Sequence, residues 1–120
     1  MGLGSWSPAV DAILSAGERL TALGSWNWAL SKAAALSAVR RIGDLEIAIL
    51  GGDVYRREGS ELVFDYGGWA VDVQADEDRN AFIARSLVEA VTYISAYPSE
   101  HALFAIVPNV QAGKEFTNDR

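Results

Sequence analysis

Asp53 closes the stretch Ile49-Leu50-Gly51-Gly52-Asp53, and its neighbours make it the acid best placed for chemistry. Two glycines before a carboxylate can bend a strand, bare the backbone to a phosphate, or offer the acid to a metal ion. Phosphate binding requires more than that. A dinucleotide fingerprint has Gly-x-Gly-x-x-Gly opening a helix, and a P-loop ends in Gly-Lys-Ser/Thr. Here the strand-like Val54-Tyr55-Arg56 follows, and Asp53 would place a negative charge beside the anion. Metal chemistry has few ligands to work with: His101 is the single histidine and cysteine is absent, so a transition-metal site would be nearly all carboxylate. The acids also lack the Asp-x-Asp-x-Asp-Gly spacing of a calcium loop. His101 follows Glu100, but neighbours on a strand point to opposite faces, so the pair forms no base and orienting acid. These residues predict no catalytic set, no metal and no cofactor, with His101 at the surface or a strand edge.

The charge is unevenly placed. Of a net −6, seven acids (Glu58, Glu61, Asp65, Asp72, Asp76, Glu77 and Asp78) lie in one window that holds no Lys or Arg. The rest of the chain is nearly balanced. An acidic surface of this kind repels a phosphate backbone and attracts a basic partner. Its plainer meaning is a solvated face that keeps the protein soluble.

The chain has 120 residues, half of them apolar, which suits one domain (residues 1–120) that closes its own core. No stretch approaches the ~20 apolar residues of a membrane helix, and the start, Met-Gly-Leu-Gly-Ser-Trp, lacks the features of a signal peptide. With no cysteine to form disulfides, the expected place is the cytoplasm, away from membranes.

The elements that must position these residues follow from periodicity. Ser7-Pro8 opens a helix whose apolar positions Val10, Ile13, Leu14, Gly17 and Leu20 lead to a stop at Gly24. A cap at Ser25 or Asn27 predicts a second helix through Ala- and Leu-rich sequence to Gly43. Strand patterns begin at Leu45, turn at Arg57-Glu58-Gly59-Ser60, and continue as "ELVFDY", where Leu62, Phe64 and Tyr66 share a face. Gly67-Gly68 reads as another tight turn, after which Trp69, Val71 and Val73 alternate. Asp76 offers a cap for a long helix with the apolar stripe Phe82, Ile83, Leu87, Ala90, Val91, Ile94 and Tyr97, ended by Pro98. Ala102 to Val107 is a last buried strand, and 108–120 a frayed tail. The fold class is α+β: two N-terminal helices, a small mainly antiparallel sheet of about four strands, and one long helix before the last strand.

The Gly-Gly-Asp triplet also occurs on a hairpin in cyclic-dinucleotide synthases. Those enzymes continue with Glu/Asp-Glu-Phe, whereas Val54-Tyr55-Arg56 stands here, and their second metal-binding acid has no counterpart. A longer match is more specific. "ILGGDVYRREGSELVFDYGGWAVD", then "ARSLVEAVTYISAY" and "LFAIV", resembles the bacterial immunity protein 40 family of polymorphic toxin systems. The positions carrying the resemblance are Gly51, Gly52, Asp53, Val54 and Tyr55; Tyr66 and Trp69; Arg85 and Ser86; Tyr93 and Ile94. It spans roughly residues 25 to 107 and leaves out the N-terminal helix, residues 1–24. It departs at Gly67-Gly68, where the family more often has Asp-Asn.

The resemblance implies a small non-catalytic protein that binds and neutralises a toxin domain, protecting the producer and its kin in bacterial competition. Aromatics inside a charged rim suit such an interface. The candidate toxin-binding residues are Tyr55, Glu61, Asp65, Tyr66, Trp69, Asp72, Asp76 and Asp78, facing a toxin surface that is basic. Trp69 also suits a core position on an alternating face. Gly51, Gly52 and Asp53 read as structural, with Asp53 accepting backbone hydrogen bonds at a kink. Two alternatives stay open: a small metal- or nucleotide-binding enzyme using Asp53 and neighbouring acids, and a non-catalytic oligomerising scaffold.

Overall fold

A computed structural model describes residues 6–110 of the chain. Ser7 caps the first helix, α1 (Pro8–Leu14), accepting from the Val10 N–H at 3.3 Å, and Val10, Ile13 and Leu14 are buried. The helix stops there instead of running on toward Leu20. Gly17 gives the reason: a Cβ on it would lie 2.5 Å from the Ala29 carbonyl oxygen, so the chain passes flush against the next strand. Glu18–Arg19 pairs with that strand as β1, and a 3-10 turn, Thr21–Leu23, ends at Gly24 with φ 84°.

The predicted second helix begins later than its Ala/Leu content suggests. Trp28–Ser31 is a strand, β2, and the helix α2 occupies only Lys32–Asp44, capped by Ser31 Oγ on the Ala34 N–H. Asn27 anchors this segment: its Nδ2 donates to the Ile106 carbonyl and its Oδ1 accepts from the Trp28 N–H, which fixes the segment beside the last strand.

Strand β3 (Ile49–Glu58) starts after a connection at Leu45–Ala48, and Gly59, at φ 63°, turns it into β4 (Glu61–Ala70). β4 runs on through Gly67-Gly68, so the sheet has no turn there. The pairing Val54 with Gly67 and Tyr55 with Phe64 leaves Asp65 and Tyr66 as an extra pair bulging from β4. A second irregularity lies between Ile49 and Gly51, with Gly51 at φ 154°. The long helix α3 (Arg79–Ala96) is capped by Asp78 and ends before Pro98, and β5 (Leu103–Pro108) closes the sheet. Beyond β5, the Asn109 N–H donates to the Ala48 carbonyl and Val110 is buried, so the expected tail does not fray at residue 108. Its remainder, 111–120, lies outside the described residues.

The class is α+β: the described residues form three α-helices and a five-stranded antiparallel sheet in the order β1-β2-β5-β3-β4. Alternation along each strand divides the side chains between two faces. One face, with Leu30, Val54, Phe104 and Ile106, packs on Val10, Leu14, Val39, Ile42 and Ile94 of the helices. Each such side chain adds roughly 1.5–3 kcal/mol on burial. No helix among the described residues is long and apolar enough to cross a membrane.

Candidate functional site

The hairpin β3–β4 carries most of the candidate residues, and its two faces do different work. On the helix side, glycine makes room for rings. A Cβ on Gly52 would meet Trp69 Cη2 at 2.5 Å, and one on Gly67 would meet the Tyr97 hydroxyl at 2.8 Å. Trp69 stacks on Tyr93 with centroids 4.9 Å apart, and Tyr97 continues the row 5.8 Å from Tyr93, meeting Phe104 edge-on. The indole N–H of Trp69 is buried with no acceptor among the described residues, so the ring is held by packing. β4 is an edge strand, and the Gly68 N–H donates to the Tyr93 hydroxyl instead of lying open to another strand.

Asp65 belongs to this side as well. Its carboxylate accepts from the Tyr97 hydroxyl at 2.6 Å and from Arg56 at 2.9 Å, while Arg56 also holds Glu58. Those two hydrogen bonds, Tyr97 first, keep the Asp65 carboxyl below its ordinary range. The same bond, with some burial, pushes Tyr97 up to about 12.

At the far end of β4, the start of α3 is built from acids. Asp78 accepts from the Ala81 N–H at 2.8 Å. Arg85 reaches back to Glu77 and the Asp72 carbonyl and forward one turn to Glu89. The Arg85 hydrogen bond, then the Gln74 N–H, pulls Glu77 down to about 2. Ser86, fully buried, accepts from the Ile49 N–H and donates to the Ile83 carbonyl, tying α3 to the start of β3.

Among the described residues, the second face of the sheet carries no α-helix. Leu20 buries itself there against Ala29 and Ala105, with Tyr55, Leu62 and Leu103 around it. Beyond that cover, Asp53, Phe64, Tyr66, Gly68 and Ala70 are exposed. The rings of Tyr55, Phe64 and Tyr66 form a row, with centroid distances of 5.7 and 5.0 Å. Burial, then the nearby Asp53 charge, raises the Tyr55 phenol above its usual pKa. Tyr66 has φ 61°, a left-handed conformation that costs a non-glycine residue roughly 1–2 kcal/mol, and the residue is 86% exposed. The fold gains little burial in return for that backbone.

The structure therefore separates the residues selected from the sequence. Tyr55 and Tyr66 share the open face with Asp53, while Trp69 and Asp65 lie on the helix side. Glu61 is at the hairpin tip, and Asp72, Asp76 and Asp78 gather beyond the other end of β4, roughly 30 Å away by strand length. The acidic window is thus two groups. The expected backbone hydrogen bonds to Asp53 are not made: its carboxylate projects from the open face, with no donor among the described residues. Phe64, 41% exposed between two tyrosines, completes the aromatic row. Its alternation with Leu62 and Tyr66 was the signal in the sequence. His101 is exposed near Arg57 and Glu100 around an open depression of about 590 Å³. Among the described residues no three His, Cys, Asp or Glu side chains converge as metal ligands.

No curated protein and no solved structure matched the chain. A family model described as immunity protein 40 matches residues 19–108. That span opens at β1 and closes with β5, taking in the glycine-paved hairpin, the aromatic row on its open face and the helix docked beneath it. A match over three quarters of the chain, covering strands β2 to β5 in full, the end of β1 and the two longer helices, places this protein in the immunity protein 40 family.

Proposed function

We propose that this protein neutralises a cognate toxin domain by stoichiometric binding in the cytoplasm, with no catalytic step of its own. The family match over residues 19–108 carries this reading. The molecule's charge supports a basic partner: at net −6 it attracts a positive toxin surface and speeds encounter. Within the acidic window, Asp65 and Glu77 are engaged by Tyr97, Arg56 and Arg85. Glu61 at one end of β4, and Asp72 and Asp76 at the other, remain to act as steering charges.

The test is co-expression. The C-terminal ~150 residues encoded by the adjacent upstream reading frame, about one domain's length, are expressed with and without this protein in one host. Growth arrest that this protein relieves, with the two chains co-purifying, is the expected result. Arrest that persists when both chains are present would remove the reading for that pair.

A further inference from the structure

The open face of the hairpin has a composition that a solvated surface does not require. Asp53 is flanked across the sheet by Gly68 on β4 and Ala105 on β5, so nothing larger than a methyl group stands beside its carboxylate on either neighbouring strand. The alternation of β3 puts Tyr55 and Arg57 on the same face. Arg57 is held in an ion pair by Glu18, so it does not neutralise Asp53. The result is an isolated negative charge whose floor is low on the β4 side, at Gly68 and Ala70, walled on the β5 side by Leu20 packed over Ala105, and bordered by the row Tyr55, Phe64 and Tyr66. Tyr66 is kept there, almost wholly exposed, in an unfavourable backbone conformation. Of the three non-glycine residues with left-handed φ among the described residues, Glu46, Tyr66 and Asp76, Tyr66 is the one that lies in a strand and carries a large ring into solvent, which points to a use outside the fold. The same strip continues toward the hairpin tip as a groove of about 310 Å³ between Leu20–Leu23 and Ser60–Leu62.

We propose that this face is where the chain holds its toxin, and that it receives one basic side chain, a lysine or arginine, paired with Asp53 and lying against Phe64 and Tyr66. The proposal rests on the toxin-binding reading above. Charge complementarity selects the occupant. A cation is attracted both by the lone carboxylate and by the electron-rich faces of aromatic rings within about 6 Å, and its alkyl stem covers ring surface. Exposed rings also stack nucleic-acid bases, but that mode needs a positive groove along the backbone, and here the face presents Asp53. The acids at the two ends of β4 then act at longer range, guiding approach, while the face between them supplies the hold.

The experiment compares wild type, Asp53→Asn and Tyr66→Gly. Each is titrated calorimetrically with the toxin fragment recovered from the co-expressed complex, and each is melted alone. Asp53→Asn is expected to bind about tenfold more weakly, with the difference shrinking at high salt. Tyr66→Gly is expected to bind at least about tenfold more weakly yet melt no lower than wild type, because glycine accepts φ 61° without strain. Wild type binding the fragment while both variants bind within about twofold of it would overturn this assignment and leave the neutralising reading standing. An upstream fragment that arrests growth but that wild type does not bind would remove the neutralising reading itself, whereas displacement of a bound fragment by a single-stranded oligonucleotide whose own binding needs Tyr66 and not Asp53 would overturn only the assignment of this face to a basic side chain.

Discussion

The indole of Trp69 lies across Gly52, so close that a Cβ on residue 52 would meet its ring at 2.5 and 2.6 Å. The same Cβ would come within 2.6 Å of the Ala105 carbonyl oxygen, a backbone atom that cannot turn aside. Gly52→Ala should therefore cost about 1–3 kcal/mol from overpacking, read as a lower urea midpoint at unchanged m-value. Stability equal to wild type would mean that Trp69 does not occupy this position in solution.

Ser86 offers a second structural test. Its hydroxyl is the acceptor for the Ile49 N–H in the interior, where water does not replace it. Ser86→Ala leaves that donor unpaired and should cost roughly 1–3 kcal/mol in denaturant unfolding. A loss of only a few tenths would indicate that Ile49 finds another acceptor.

These two residues also show what the sequence made legible. The hairpin at Gly59, the last strand and the long helix ending before Pro98 follow from period and punctuation, although the cap of that helix is Asp78 and not the expected Asp76. Trp28–Ser31 did not, because Trp-Ala-Leu-Ser carries no local strand signal. Its state is set by Asn27 and by pairing of Leu30 with Phe104, far along the chain. Gly67-Gly68 read as a turn because glycine has two uses, positive φ and empty space. Only the docking of Tyr93 and Tyr97 from α3 shows that space is the one required at Gly67. The candidate site was legible in its residue types but not in its grouping. Seven acids close in sequence were parted by the length of β4, and the two-residue bulge put Asp65 among the helix contacts and left Tyr66 in the open.

Acid should loosen the start of α3. Glu77 titrates at about 2 in the folded protein, against 4.5 without its partners. A carboxyl lowered in this way adds stability above pH 4.5 and loses it as pH falls toward 2. The melting temperature of wild type should therefore drop more steeply across that interval than that of Glu77→Gln. Parallel curves would show that the contact between Arg85 and Glu77 does not persist in solution.

Divalent metals should leave the protein unchanged. A metal held by Asp53 would need further oxygen ligands, yet its cross-strand neighbours are Gly68 and Ala105, and the next residue on its face toward the hairpin tip is Tyr55. Melting curves with magnesium, manganese or calcium are expected to superimpose on the metal-free curve. A rise that Asp53→Asn abolishes would revive the metal-dependent alternative.

Asp78 separates what the acidic residues do for the fold from what they do for a partner. Its carboxylate accepts from the Ala81 N–H and begins the helix that carries Arg85, Tyr93 and Tyr97, so reversing it to lysine would disturb the hairpin's whole support. Lost binding in such a variant would say nothing about charge. Asp78→Asn keeps a capping oxygen and removes the charge, while Asp78→Ala removes both and should cost about 0.5–2 kcal/mol. At a temperature where both variants are fully folded they carry the same net charge. If Asp78 steers the toxin, they should slow association equally despite their different melting temperatures, and Asp72→Lys, whose side chain is exposed, should slow it further. Association rates that instead follow the melting temperatures, with Asp78→Asn like wild type, would assign Asp78 to the helix alone.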